Sequence, residues 1–418
     1  MSNRKTREIS IGILKIGGSQ PVLLQSMCAT KTTDISATAR TAERLAEAGA
    51  GLVRVAVDNK RDAEALREIA SQTAANLSVD LHENYRLAEL VAPYVKKIRY
   101  NPGRLHYVEP QISWKEKVRR IADVAAEFGC ALRVGVNCGS IDPEQLSRQD
   151  TRLSRQDTQL ARQETRPDNR EKCSDGQDSL QRDCAVDSVI DSMPLLASAL
   201  EHSAFLDSLG FMNYCVSLKS SDPATVICVN REFAKRRPDT PIHLGLTEAG
   251  LPPEAVLKSR AALEPLLAEG IGDTLRVSLT VPNDRKQEEI QAGRLILDNV
   301  ARGEILTPER LPQLLKTRLN IISCPSCSRV ENGVFVELAE RIREASRFAA
   351  DFPVTIAVMG CRVNGPGETD NADIGIWCGA SQANLKRGKT LVGTFDYEEI
   401  IPRLLEELRA KIKNSCDS

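Results

Sequence analysis

Eight short β-rich runs, most of them followed by a helical pattern, constrain the first 280 residues of this chain more than any other feature. They span 22–27, 52–57, 77–82, 97–102, 131–137, 213–219, 242–248 and 274–279, with amphipathic stretches at 37–48, 62–74, 114–128, 254–268 and 287–300. Strands that alternate with helices build right-handed βαβ units and therefore a parallel sheet. Eight units predict an α/β fold closed as a (β/α)8 TIM barrel rather than an open doubly wound sheet. No G-x-G-x-x-G follows the first run, which argues against a dinucleotide-binding sheet. Beyond residue 302 the rhythm changes: 315–322, 330–350, 354–358, 374–378 and 397–412 predict a smaller α+β domain. The expected division is 1–302 for the barrel and 303–418 for the second domain. One stretch breaks the alternation. Residues 146–166 repeat a seven-residue unit three times with Leu146, Leu153 and Leu160 as its only apolar side chains besides Ala161. One main apolar position per heptad cannot form a coiled-coil seam, so 142–183 is expected to be a polar, largely disordered insertion.

Polar residues gather toward the C-terminal halves of the barrel runs: Gln25, Arg54, Asp80 with His82, Arg99 with Asn101, Arg133 with Asn137, Lys219, Glu248, and Arg276 with Ser278. Side chains alternate along a strand, so Arg99/Asn101 and Arg133/Asn137 share a face. If that face lines the barrel, Arg54, Arg99, Arg133, Lys219 and Arg276 converge on the mouth where barrel enzymes do their chemistry. Five cations there call for a polyanion such as two phosphates, because guanidinium groups match phosphate oxygens bidentately. Glu248 among them is available as an acid, a base or a partner of Lys219.

The second domain carries Ser-Cys-Pro-Ser-Cys-Ser with Cys324 and Cys327, then Cys361 opening Gly-Cys-Arg-Val-Asn-Gly-Pro-Gly-Glu, which ends at Glu368. A C-x-x-C turn brings two sulfurs to one centre, and Cys361 lies between a strand-like run and a Gly-Pro-Gly loop. A structural zinc site would normally be closed by a fourth Cys or His, and none lies in this segment. An iron–sulfur cluster with one weak, exchangeable carboxylate ligand is the sharper reading. The alternatives are a metal-assisted barrel enzyme acting on a phosphorylated substrate with a structural zinc, and a redox-sensing binding module. Cys28, Cys138, Cys215 and Cys228 are expected to serve packing.

Lys plus Arg number 56 against 57 Asp plus Glu, so no global field points to nucleic acid or membrane. Aromatic residues are 4%, too few for a base-stacking surface. No signal-like segment or transmembrane run is seen, and 12 cysteines without a secretory signal suggest a reducing, cytoplasmic setting.

With these residues placed, the chain resembles the 4-hydroxy-3-methylbut-2-enyl-diphosphate synthase family of the methylerythritol phosphate pathway, short bacterial type. The resemblance rests on Leu-Gln-Ser-Met near 25, Thr-Lys-Thr-Thr-Asp at 30–34, Leu-Val-Arg-Val-Ala-Val at 52–57, Tyr-Asn-Pro-Gly at 100–103 and Arg-Val-Gly-Val-Asn at 133–137. It continues through His-Leu-Gly-Leu-Thr-Glu-Ala-Gly at 243–250, Gly-Asp-Thr-Leu-Arg-Val-Ser at 272–278, Cys-Pro-Ser-Cys-Ser-Arg at 324–329 and Asn-Gly-Pro-Gly-Glu at 364–368. It implies an oxidoreductase that opens 2-C-methyl-D-erythritol 2,4-cyclodiphosphate with two electrons from reduced flavodoxin or ferredoxin. It implies a [4Fe–4S] cluster on Cys324, Cys327, Cys361 and Glu368, with Glu368 displaced by a substrate oxygen. It further implies a diphosphate site of Arg54, Arg99, Arg133, Asn137, Lys219, Arg276 and Ser278, Glu248 as acid–base carboxylate, and Asn364 as a substrate contact. A homodimer is implied, the cluster domain of one chain capping the barrel of the other.

Overall fold

Short apolar strands between amphipathic helices bury both faces only by pairing in parallel under a helical layer. In the computed structural model, which describes residues 4–138, 177–361 and 365–416 and all their side chains except those of 177–192 and 415–416, they do so. An N-terminal hairpin, β1 (Ile9–Ile11) and β2 (Leu14–Ile16), precedes eight parallel strands. These are β3 (Leu23–Met27), β4 (Leu52–Ala56), β5 (Leu77–His82), β6 (Lys97–Tyr100), β7 (Ala131–Asn137), β8 (Tyr214–Lys219), β9 (His243–Leu244) and β10 (Thr274–Leu275). Their spatial order is β8-β7-β6-β5-β4-β3-β10-β9, and a parallel bridge between Val216 and Ile242 joins the two ends into a barrel. The hairpin sequence was not expected to pair. It turns at Gly12 and packs Ile9, Ile11 and Ile16 on Leu52, Ala131 and Cys215, plugging the N-terminal end of the barrel.

The surrounding helices start on side-chain caps that satisfy backbone N–H groups: Asp34 before Ile35–Glu47, Asn59 before Lys60–Gln72, Ser113 before Trp114–Glu127 and Asp222 before Pro223–Arg236. Their apolar faces and the outward strand residues form one large cluster, whereas the barrel interior is polar. There Lys97, fully buried, donates to Gln25 Oε1 across the barrel at 3.1 Å.

Two expected strands are much shorter than the sequence suggests. The runs at 242–248 and 274–279 keep only two ladder residues each, because the chain leaves the sheet beyond Leu244 and Leu275. The helix Gln177–Ser208 takes in 177–183, which the sequence assigned to the irregular insertion; the heptad repeat itself lies outside the described residues.

The second sheet has the order β11-β12-β13-β14-β15: β11 (Asn320–Ser323), β12 (Thr355–Met359) and β13 (Ile374–Cys378) run parallel, and β14 (Gln382–Arg387) and β15 (Thr390–Asp396) add antiparallel. Helices Phe335–Ala345 and Ile400–Cys416 cover it. This sheet is stitched to the barrel, since Ala249, one residue past Glu248, forms a parallel bridge with Ser323, one residue before Cys324. Among the described residues, no helix is long and apolar enough to cross a membrane.

Candidate active site

Parallel register builds the barrel mouth in layers. Asp80, Arg99 and Arg133 pair side by side on β5, β6 and β7, and one layer higher Asn137 pairs with Lys219 on β7 and β8. Residues 133 and 137 are four apart, so both point inward. Arg54, Arg276 and Ser278 complete the ring, and all seven residues expected to bind a diphosphate line one cavity. Two glycines make room for the cations. A Cβ on Gly135 would stand 2.2 Å from Arg99 Nε, and one on Gly245 would stand 2.6 Å from Lys219 Nζ.

The positive charge here is only partly compensated. Asp80 accepts from Arg99 Nη1 at 2.9 and 3.2 Å and lies 3.9 Å from Arg54, while Glu289 pairs with Arg276 at 3.3 Å. Among the described residues no carboxylate forms an ion pair with Arg133 or Lys219, and Nε and Nη1 of Arg133 have no hydrogen-bond partner. Burial, then repulsion from Arg133, Arg276, Arg54 and Arg99, pushes Lys219 well below the usual lysine range. Burial, then Arg99, pushes Arg133 down to about 10. Burial opposes the Asp80 carboxylate, yet Arg99 and Arg54 outweigh it and hold it well below its ordinary value. Burial and then the Arg329 guanidinium keep His82 neutral. Cations fixed this close to one another favour a multiply charged anion.

Asp80, His82 and Arg329 belong to this site although the sequence reading did not assign them to it. Asp80 and His82 follow the same alternation as Arg99, so the signal was present. Arg329 comes from the cysteine loop and carried none.

The cysteines form the roof. β11 and β12 are parallel neighbours with Ser323 opposite Val358, so the chain beyond them delivers Cys324 and Cys361 to the same edge. Cys324, Cys327 and Cys361 line the cavity opposite the barrel cations. Gly360 N–H donates to Cys324 Sγ at 3.2 Å. Burial, then the neighbouring Cys361 and Cys327, pushes the Cys324 thiol well up. Among the described residues no three Cys, His, Asp or Glu side chains converge on a point tightly enough for a single metal ion. A structural zinc would need its sulfurs about 2.3 Å from one ion. A polynuclear iron–sulfur cluster takes its thiolates on separate irons, set wider apart, and an N–H···S bond is one of the features that set its potential. The donor set fits such a group.

Glu248 adopts a left-handed backbone with φ 44°, as do His82 at 55° and Ser326 at 47°, and all three line the cavity. Non-glycine residues held there store strain, which the packed surroundings must offset. Burial raises the Glu248 carboxyl, while Thr247, Lys219 and Arg276 pull against it; Oε2 has no hydrogen-bond partner. Glu368, on the short helix Gly365–Asp370, is buried and raised well above its ordinary range by burial and then by Glu248. It is not among the residues lining the cavity; Glu248 and Arg104 are the charges acting on it. Asn364 lies outside the described residues. Cys28 and Cys215 are core residues as expected, but Cys228 sits half-buried on the helix Pro223–Arg236. Cys138, half-buried, packs against the barrel core as expected; it follows β7 near Glu368 and Glu248, where burial, then these carboxylates, hold its thiol up at about 12.

Fold and site thus define a (β/α)8 barrel with a cation-lined mouth, roofed by a thiol-bearing α+β domain of the same chain. The chain belongs to the GcpE family: the GcpE TIM-barrel domain matches residues 6–294 and the GcpE protein C-terminal domain matches 320–410. It is 50% identical over 403 residues to a Rhodopirellula baltica protein named 4-hydroxy-3-methylbut-2-en-1-yl diphosphate synthase (flavodoxin), covering 96% of this chain and 95% of that one. Proteins of the same name from Aquifex aeolicus (98% of this chain, 97% of that one) and Hydrogenobaculum sp. (98% of each) are 35% and 34% identical.

Proposed function

We propose that this chain catalyses the reductive dehydroxylation and ring opening of 2-C-methyl-D-erythritol 2,4-cyclodiphosphate to 4-hydroxy-3-methylbut-2-enyl diphosphate in isoprenoid biosynthesis, with reduced flavodoxin, or ferredoxin, as electron donor. The observation that carries this reading is the single cavity that holds barrel cations on one side and three cysteines on the other. A substrate with two phosphates fits the cations, and a reaction needing electrons fits the thiols. Arg54, Arg99, Arg133, Lys219 and Arg276, with Asn137 and Ser278, hold the diphosphate and neutralise the charge that stays on it when the ring C–O bond breaks. Burial favours the protonated form of Glu248, the form that can give a proton to the hydroxyl that leaves as water. Cys324, Cys327 and Cys361 would hold a [4Fe–4S] cluster with Glu368 as the carboxylate ligand, and Asn364 would contact substrate. A hard carboxylate would leave iron more readily than a thiolate, which suits Glu368 to the exchangeable ligand position. The cluster, when bound, supplies the electrons singly to the substrate.

The barrel domain ends at residue 302 and the cluster domain begins at 303, a division supported by Gly303, whose left-handed φ of 75° caps the helix Gln287–Arg302. The protein works in the cytoplasm as a homodimer. In the expected arrangement the cluster domain caps the partner's barrel, but here one chain closes the cavity by itself. Exchange of the cluster domain between two copies would re-form these same contacts, with the chain just past Gly303 as the hinge. Anaerobic reconstitution, with iron and sulfide counted and the cyclodiphosphate offered with a chemical reductant, tests the function. Brown protein that turns the substrate over supports it; colourless, iron-free protein that is fully active refutes it.

A further inference from the structure

Behind the cavity wall, Lys286 and Glu289 form a buried ion pair that also reaches the cavity cation Arg276. Glu289, on the helix Gln287–Arg302, accepts five hydrogen bonds: from Ser26 Oγ at 3.0 Å, from Arg276 Nε and Nη2 at 3.3 Å each, from Leu279 N–H at 3.2 Å and from Lys286 Nζ at 3.1 Å. Lys286 also donates to Leu279 O at 2.8 Å and to the carbonyl of Pro325, inside the Cys324–Cys327 turn. Three acceptors around Nζ require three N–H donors, which only the ammonium form provides, a neutral amine having two. Lys286 is therefore a buried cation pressed on the cysteine turn, and Glu289 ties it to Arg276 of the phosphate site.

We propose that Lys286 is a positioning residue of this enzyme, whose buried charge holds the Cys324–Cys327 turn on the barrel and stabilises the iron–sulfur group in its reduced, more negative state. Glu289 sets the balance from the other side, anchoring Arg276 and offsetting one of the two cations. A charge shielded from water acts on a neighbouring centre far more strongly than one in solvent, and charge and hydrogen bonding around a cluster are what the protein uses to set its potential. The inference rests on the iron–sulfur reading above. Iron-free wild-type protein refutes that reading, whereas a cluster whose potential ignores Lys286 refutes only the inference.

The test is a redox titration of the reconstituted wild type, Lys286→Gln, Lys286→Met and Glu289→Gln, followed by electron paramagnetic resonance, alongside steady-state kinetics. Both Lys286 variants are expected to titrate at more negative potential. Lys286→Gln retains a donor for the Pro325 carbonyl, so a shift there reports the charge and not only the bond. With a fixed reductant their kcat should fall about tenfold or more while KM for the cyclodiphosphate stays within about twofold. Glu289→Gln should titrate at more positive potential and raise KM, because Arg276 loses its anionic anchor. Opposite shifts are the signature, since a purely structural role moves all the variants the same way. A wild-type potential in Lys286→Gln, or shifts of one sign throughout, overturns the inference. Should neither Lys286 variant retain iron and sulfide, Glu289→Gln decides, and an unchanged or lowered potential overturns it.

Discussion

Gly135→Ala probes how the barrel mouth is built. The added methyl would stand 2.2 Å from Arg99 Nε and 3.0 Å from its Cζ and Nη2. The guanidinium must retreat by about 1.2 Å to reach ordinary van der Waals contact. Arg99 cannot do so freely, because Nη2 donates to Gly135 O at 2.8 Å and Nη1 to both oxygens of Asp80. Losing one charge-assisted bond costs about 1.5–3 kcal/mol, or about 10- to 150-fold in an equilibrium. An independent expectation, that misplacing an active-site group by about 1 Å costs about 100-fold, falls in the same range. The measurement is kcat/KM for the cyclodiphosphate, paired with calorimetric binding of inorganic pyrophosphate to cluster-free protein, which isolates the cations from the redox step. Both should weaken by about 10- to 150-fold in a variant whose circular dichroism is unchanged. Wild-type pyrophosphate affinity would show that Arg99 does not hold phosphate from this position, and the layered account of the site would fail with it.

Three further outcomes follow from the same geometry. Glu368→Ala should lower kcat by about 100-fold or more with pyrophosphate binding retained; near-normal turnover would exclude Glu368 as a cluster ligand. The Glu248 carboxyl is raised by burial, so its proton is present below the raised pKa and lost as pH climbs through it; kcat should decline on that alkaline limb, and Glu248→Gln should abolish the limb along with most of the activity. Arg329 Nε lies 2.8 and 2.9 Å from the Asp58 oxygens, so Asp58→Asn should speed hydrogen exchange in the turn at 324–330, and unchanged exchange would mean that the pair does not latch it.

The sequence revealed the barrel where one signal served two purposes. In β5 to β8 an apolar run marks the strand, and the polar residues interrupting its inward face mark the site, so Arg99, Arg133, Asn137 and Lys219 could be placed without coordinates. The same alternation carried Asp80 and His82, whose roles emerge only when Arg99 is seen lying on Asp80. β9 and β10 were read too long because residues 245–248 and 276–279 keep a strand-like composition after the chain has left the ladder. The hairpin β14–β15 was missed because only Ala383 and Leu385 of Gln382–Arg387 are buried apolar residues, so charged neighbours hide the two-residue period. What was not legible is everything that depends on the two domains meeting. Arg329 on Asp58, Lys286 on Pro325 and Thr280 on Ser323 and Cys324 join residues distant along the chain, and no local pattern records such pairs.

Those interdomain contacts also explain how a strained site is kept. Among the described residues, Arg133 and Lys219 pair with no carboxylate, one Glu248 oxygen has no partner, and three cavity residues hold left-handed backbones. Each is a local cost of about 1–3 kcal/mol that ordinary folding would avoid. The cost is tolerated because rigid elements fix both sides of the cavity: the barrel ladder below, and above it the isolated parallel bridge from Ala249 to Ser323, which ties the residue after Glu248 to the residue before Cys324. An anion that satisfied Arg133 and Lys219 would relieve the largest of these costs, so this charge distribution favours a doubly phosphorylated ligand on the side of the cavity that faces the cysteines.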